Sequence, residues 1–270
     1  MKIILSRKGF DSKNGGFPSP IMPDGTMLSM PIPGNSEITY SDIKFNGQKY
    51  CEILDQLRPK NTVSVSQCHV DPDIRKGIRI KPVSGWILAF GQVGSAQTHL
   101  ENQHINKNDI FLFFGWFKQT EINNYGRLIY KRGAPDIQAI YGYLQIGDIV
   151  KNDLIHNFPW HPHSDMTAYT ELNNTLYVPS DTLIINNKET GLPGYGTFKF
   201  SSKIVLTKEG LRRSKWEILD WFYDSVISFH TKENIKDTYF QSAYIGQEFV
   251  VSENTKVTEW VESILCPSLT

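Results

Sequence analysis

A histidine and two aspartates alternate along Gln67-Cys68-His69-Val70-Asp71-Pro72-Asp73-Ile74-Arg75. Alternate side chains of an extended chain share a face, so His69, Asp71 and Asp73 are expected on one side of a segment stiffened by Pro72. One imidazole with two carboxylates can divide into a general base and the group that orients it, or can hold a divalent metal. Asp71 or Asp73 is read as the catalytic carboxylate with His69 paired to it, and Arg75 as a fork for phosphate. The plainer alternative is an Asp-Pro-Asp turn whose side chains cap backbone amides.

A second histidine loop runs from His156 to Asp165 (HNFPWHPHSD). If it is extended, His161 and His163 share a face and form a His-x-His pair of the kind that holds a transition metal. No third ligand stands at a recognisable local spacing, and a solvated surface loop anchored by Phe158 and Trp160 is the competing reading. A third loop, Ser6-Arg7-Lys8-Gly9-Phe10-Asp11-Ser12, follows a short apolar strand. Two cations beside a glycine suit a phosphate, and Asp11 could accept a hydrogen bond from a ribose or base. Ser19 continues this constrained polar stretch: Pro18, Pro20, Pro23, Pro31 and Pro33 keep the segment from Gly15 onward rigid. Gly91-Gln92-Val93-Gly94-Ser95-Ala96 opens a helix that carries His99, which makes Gln92 a reader of sugar or base and His99 a secondary candidate. That glycine pattern matches neither the dinucleotide fingerprint nor the phosphate loop. No Gly-x-Ser-x-Gly elbow exists for a serine hydrolase.

These loops need a scaffold. Lys2 to Leu5, Trp86 to Phe90, Asp109 to Phe117, Ile137 to Val150 (bent near Gly142), Leu176 to Val178, Phe198 to Phe200 and Ile204 to Leu206 read as strands. Gln48 to Leu57, Lys215 to Tyr223 and Lys256 to Leu265 read as helices, the last with an apolar face of Val257, Trp260, Val261, Ile264 and Leu265. Strands and helices mix without strict alternation. The expected fold is one α+β domain over residues 1–270, a mixed and mostly antiparallel sheet with flanking helices. The strands from Asp109 and Tyr143 share a pattern with small base-binding barrels of the PUA kind.

Lys+Arg and Asp+Glu both number 28, so the chain carries no net charge. Gripping duplex nucleic acid by bulk charge needs a basic surface, and that class is disfavoured. Three scattered cysteines argue against a disulfide scaffold and offer no Cys-x-x-Cys pair. Lys2 to Leu5 is too short for a signal peptide and no run spans a membrane, so the cytoplasm is the expected compartment.

Several segments together resemble the nucleotide modification associated domain 3 family of bacterial and phage proteins. They are SRKGFDS (Ser6 to Ser12), PSPI (Pro18 to Ile21), SMPIP (Ser29 to Pro33), CHVDPDIR (Cys68 to Arg75), FGQVGSAQTHL (Phe90 to Leu100) and DIFLFFGWF (Asp109 to Phe117). YGYLQIGD, RRSKWE and GQEFVV extend the likeness over nearly the whole chain. The resemblance implies a link to nucleic-acid base modification or phage defence and assigns no catalytic residue.

The residues and the resemblance lead to three expectations. The first is an enzyme hydrolysing an N-glycosidic or phosphoester bond of a nucleotide or modified base, with His69, Asp71 and Asp73 catalytic. Arg7, Lys8, Asp11, Ser19, Arg75, Gln92, His99 and His161 would bind substrate, including a base in a strand delivered by a partner. The second is a module that binds a modified base or signalling nucleotide without turnover. The third is a metal-dependent phosphodiesterase using His69, Asp71, Asp73, His161 and His163. The first and second require no cofactor motif; the third requires a divalent metal.

Overall fold

The most apolar run of the chain becomes the middle of its sheet. The computed structural model describes residues 1–169, 173–244 and 246–266. Its main strands are β1 (Ile3–Arg7), β2 (Ser19–Ile21), β3 (Phe90–Val93), β4 (Ile110–Ile122), β5 (Leu128–Tyr130), β6 (Ile137–Lys151), β7 (Asn174–Pro179), β8 (Tyr195–Thr197) and β9 (Glu248–Val251). They form one nine-stranded sheet along the path β9-β1-β4-β6-β7-β3, with β2 and β5 also paired to β4 and β8 to β6. The β1–β4 and β2–β4 pairings are parallel and the others antiparallel. The first six residues of β4 are buried, as expected of a strand covered on both faces.

The sheet curls into a half-barrel. In β6 the register shifts between Ile140 and Gly142 and again between Ile146 and Asp148, and such irregularities bend a strand. Gly142 is needed where β6 bends: a Cβ there would lie 2.9 Å from the Gly196 carbonyl of β8 and 2.4 Å from Ile74. Phe90, Phe111, Phe113 and Tyr177 fill the space under the curl, with edge-on rings whose centroids lie 4.9–5.2 Å apart. A second buried cluster packs Phe10, Tyr40 and Leu28 against helix α1 (Tyr50–Leu57). Helix α2 (Gly94–Asn102) leaves β3, and α3 (Thr255–Leu265) turns its buried residues Val257, Val261, Ile264 and Leu265 to the main core.

The α+β class, the bend near Gly142 and the Ile137 strand, and the two helices at Tyr50 and Thr255 follow the sequence reading. Four elements do not. The Trp86 strand begins only at Phe90: Trp86 closes a turn on the Val83 carbonyl and donates its indole N–H to Asp73 at 2.7 Å. Lys215 to Tyr223 is no helix: Lys215–Trp216 pairs with Phe240–Gln241, and Asp220–Phe222 is a single tight turn. Its apolar spacing has another origin, since Trp216 and Trp221 are both core side chains and the Trp216 indole donates to Gln138 at 2.7 Å. The strand near Phe198 lies at Tyr195–Thr197, and Ser202–Ile204 forms a 3-10 turn followed by isolated bridges at Val205 and Thr207.

Candidate active site around Asp71

Both histidine loops converge on Asp71. Cys68–His69 pairs with Ile32–Pro33 in a two-residue ladder, and a cis peptide bond joins Asp71 to Pro72. The Asp71 Oδ1 accepts a hydrogen bond from the Gly91 N–H at the start of β3, 2.8 Å away. His161 Nε2 lies 3.5 Å from Oδ1, while His69 Nε2 and His163 Nε2 lie 4.0 and 3.9 Å from Oδ2. All four side chains are nearly shielded from solvent, His69 being the most open at 14%.

The histidine loop reaches this point by a route that alternation alone does not describe. Pro162–Ser164 is a 3-10 turn, not an extended piece, and the His161 Nδ1 accepts from the His163 backbone N–H at 3.2 Å. Asn174, at the head of β7, then fixes the His163 ring: its Nδ2 donates to the His163 carbonyl at 2.9 Å and its Oδ1 faces His163 Nδ1 at 2.7 Å. The ring lies flat against Tyr169, centroids 4.7 Å apart, and over Gly91. A Cβ at Gly91 would meet the His163 ring at 2.5 Å. Gly91→Ala is therefore expected to displace His163 and cost about 1–3 kcal/mol of stability, measurable as a fall in urea midpoint.

Burial governs the protonation states. It pulls the His163 imidazole from 6.5 down to about 3, and His69 is lowered for the same reason, with Asp71 opposing. Burial also works to raise the Asp71 carboxyl, but the facing imidazoles, the His161 N–H first among them, outweigh it and hold that group well below the usual carboxylate range. At neutral pH the centre is an ionised carboxylate beside an uncharged His163. Among the described residues, His69, Asp71 and His163 each offer a ligand atom within 4.8 Å of the others, a spacing that suits a metal ion.

Beside this centre lies a second buried polar group. Lys8 pairs with Glu248 at 2.9 Å, Gln92 Nε2 donates to the same carboxylate oxygen at 2.6 Å, and the Lys8 ammonium sits 4.5 Å from the centroid of Phe90. Glu248 Oε2 is buried without a partner. The Lys8 charge bears on His69. Glu248 is a functional candidate the sequence reading passed over; its only signal was one acid heading the apolar run Glu248-Phe249-Val250-Val251.

The remaining candidates separate. Asp73 does not join His69 and Asp71: Arg79 holds its Oδ2 at 2.6 Å and Trp86 donates to the same oxygen. Ser19 Oγ accepts from the Met30 N–H at 3.1 Å within the core. Arg75 contacts the Met27 carbonyl and lines a cavity of about 40 Å³ with Gly9, Asp71 and Tyr141, room for one water. His99 faces Ser228 at 3.0 Å and packs on Phe229. The expected pairing of Arg7 with Lys8 fails because neighbours on a strand point oppositely. Arg7 turns to the Tyr244 and Gly246 carbonyls, and its guanidinium is 5.7 Å from the Phe249 centroid. Asp11 caps its own turn, accepting from the Lys13 and Asn14 N–H groups at 2.7 Å. Arg7 and Asp11 instead line a separate cleft of about 1000 Å³, with Trp116, Arg212, Arg213 and Tyr244. The Arg213 guanidinium lies 3.8 Å from the Trp116 centroid. The cleft's lining includes none of the residues around Asp71.

The pattern that defines the nucleotide modification associated domain 3 family matches residues 2–252. The chain belongs to that family. Its name associates the family with nucleotide modification. Comparison with curated proteins and with solved structures returned no match. The matched span contains the Asp71 centre, the Lys8–Glu248 pair and the Arg7 cleft. No helix among the described residues is long and apolar enough to cross a membrane.

Proposed function

We propose that this member of the family is an enzyme that hydrolyses an N-glycosidic or phosphoester bond in a nucleotide or modified nucleobase, with Asp71 at the reaction centre. The observation that carries this reading is geometric: the buried Asp71 carboxylate accepts from the Gly91 N–H and has three imidazole nitrogens 3.5–4.0 Å from its oxygens. Burying a carboxylate is expensive unless it is fully paired, and such groups concentrate where chemistry is done. The reaction needs a polarised water beside Asp71, and the small cavity there is large enough for one. Lys8, whose charge bears on His69, is paired with the buried Glu248 and fixes a dipole beside the centre. A mononucleotide, or a base presented out of a strand that another protein holds, suits a chain with no net charge.

One observation favours a second reading, binding without turnover. The Arg7 cleft has the size of a ligand site and offers a cation–π plate of Arg213 on Trp116 away from Asp71. The two readings are separated by incubating the protein with a panel of nucleotides and base-modified oligonucleotides, followed by mass analysis. Free base, nucleoside or released phosphate supports the enzyme. An intact ligand that raises the melting temperature, with no product from any member of the panel, supports the binding module and overturns the hydrolase.

A further inference from the structure

The hydrogen bonds around Asp71 dictate the proton positions on its histidines. Asn174 gives its N–H to the His163 carbonyl, so its oxygen is what faces His163 Nδ1, and that nitrogen must donate. With the proton on Nδ1, His163 turns the lone pair of Nε2 toward the Asp71 Oδ2, itself an acceptor, 3.9 Å away. His161 is the reverse case: its Nδ1 accepts from a backbone N–H, so its proton sits on Nε2, turned toward the Asp71 Oδ1. Two acceptors from Asp71 and His163, joined by His69 Nε2 at 4.0 Å, thus surround a gap too wide for direct hydrogen bonds. Lys8 does not fill it, being committed to Glu248.

We infer that His69, Asp71 and His163 bind a divalent transition-metal ion through two imidazole Nε2 atoms and the Asp71 Oδ2. Bonds of about 2.0–2.2 Å place neighbouring ligand atoms about 3–3.5 Å apart, so the two spacings to Asp71 close on an ion with shifts of about 0.5 Å, and all three ligand atoms already lie within 4.8 Å of one another. Two nitrogens and one oxygen select a zinc- or iron-like ion over magnesium or calcium, which prefer all-oxygen shells. Three protein ligands leave positions open for water or substrate, as catalytic sites do. The groups behind the ligands are in place: Asn174 orients His163, and Gly91 and His161 face the other Asp71 oxygen. Asp73 is outside the set because Arg79 and Trp86 hold it, and His161 supports the carboxylate without ligating.

This adds a cofactor to the hydrolase proposed above, but it rests on the side chains alone. Absence of metal with turnover intact would sink the ion and leave the hydrolase; bound metal without turnover would do the opposite. Tag-free full-length protein, stripped with a chelator, is titrated with Co²⁺ and followed by calorimetry and visible absorption. The expected result is one Co²⁺ per chain with a d–d band, displaced by Zn²⁺ and not reproduced by Mg²⁺. Asp71→Asn and His163→Gln should each weaken binding by about a hundredfold or more, and Asn174→Ala by about 10- to 100-fold. The exposed His156→Gln should leave it unchanged. The inference is overturned if wild-type protein shows no stoichiometric Co²⁺ binding. It is equally overturned if folded Asp71→Asn and Asn174→Ala proteins, checked by circular dichroism, bind Co²⁺ as wild type does.

Discussion

Replacing Lys8 with methionine is expected to destabilise the folded protein by about 3–5 kcal/mol, because it strands a carboxylate in the interior. Glu248 is 1% exposed and Lys8 9%, so neither charge is well hydrated. Gln92 would remain as the one side-chain donor to Glu248, and the second carboxylate oxygen has no partner even in the intact protein. Replacing both residues at once tests the cause. Lys8→Met with Glu248→Leu removes the pair and substitutes apolar volume, an exchange that is commonly neutral or stabilising. Urea denaturation of the two variants should show the double mutant recovering most of what the single one lost. Equal losses in both would mean that packing around Phe90, not the charge left behind, decides the stability.

The second large effect is on turnover. Asp71→Asn should reduce product formation by about 10²–10⁴-fold, the range a positioned catalytic group contributes. Asparagine keeps the volume and an oxygen for the Gly91 N–H, and its amide can turn a donor toward the bare Nε2 of His163. The melting temperature should therefore move little while the rate collapses, a combination that a merely structural aspartate would not give. A folded Asp71→Asn protein with full turnover would remove Asp71 from the reaction.

Much of this could be seen in the chain before it was folded. Ile110 to Phe117 announces a doubly covered strand, Tyr50, Ile53, Leu54 and Leu57 mark a helix face, and the glycine of Tyr141-Gly142-Tyr143 marks the bend. His69 and Asp71 were legible as partners because only one residue separates them. That His161 and His163 come to the same carboxylate was not legible, since the turn that delivers them depends on Asn174, eleven residues beyond His163. The Lys8–Glu248 contact spans 240 positions and leaves no local trace. Alternation misplaced Asp73, whose fate depends on Arg79 and Trp86. Arg7 and Lys8 look like one clamp in the sequence because they are adjacent, but strand geometry sends them apart.

Arg7 and Lys8, at the end of β1 and just past it, serve different places. Arg7 lines the wide cleft, and Lys8 pairs with Glu248 beside the Asp71 centre. Two residues past the end of β1, Gly9 lines the small cavity and adopts a left-handed φ of 78°. A Cβ at Gly9 would stand 2.5 Å from the Ser29 hydroxyl and 3.3 Å from the Met30 carbonyl. The chain turns there against Ser29 and Met30 with no room for a side chain, so the wall of the small cavity is set by backbone and cannot be reshaped by adding bulk at that position.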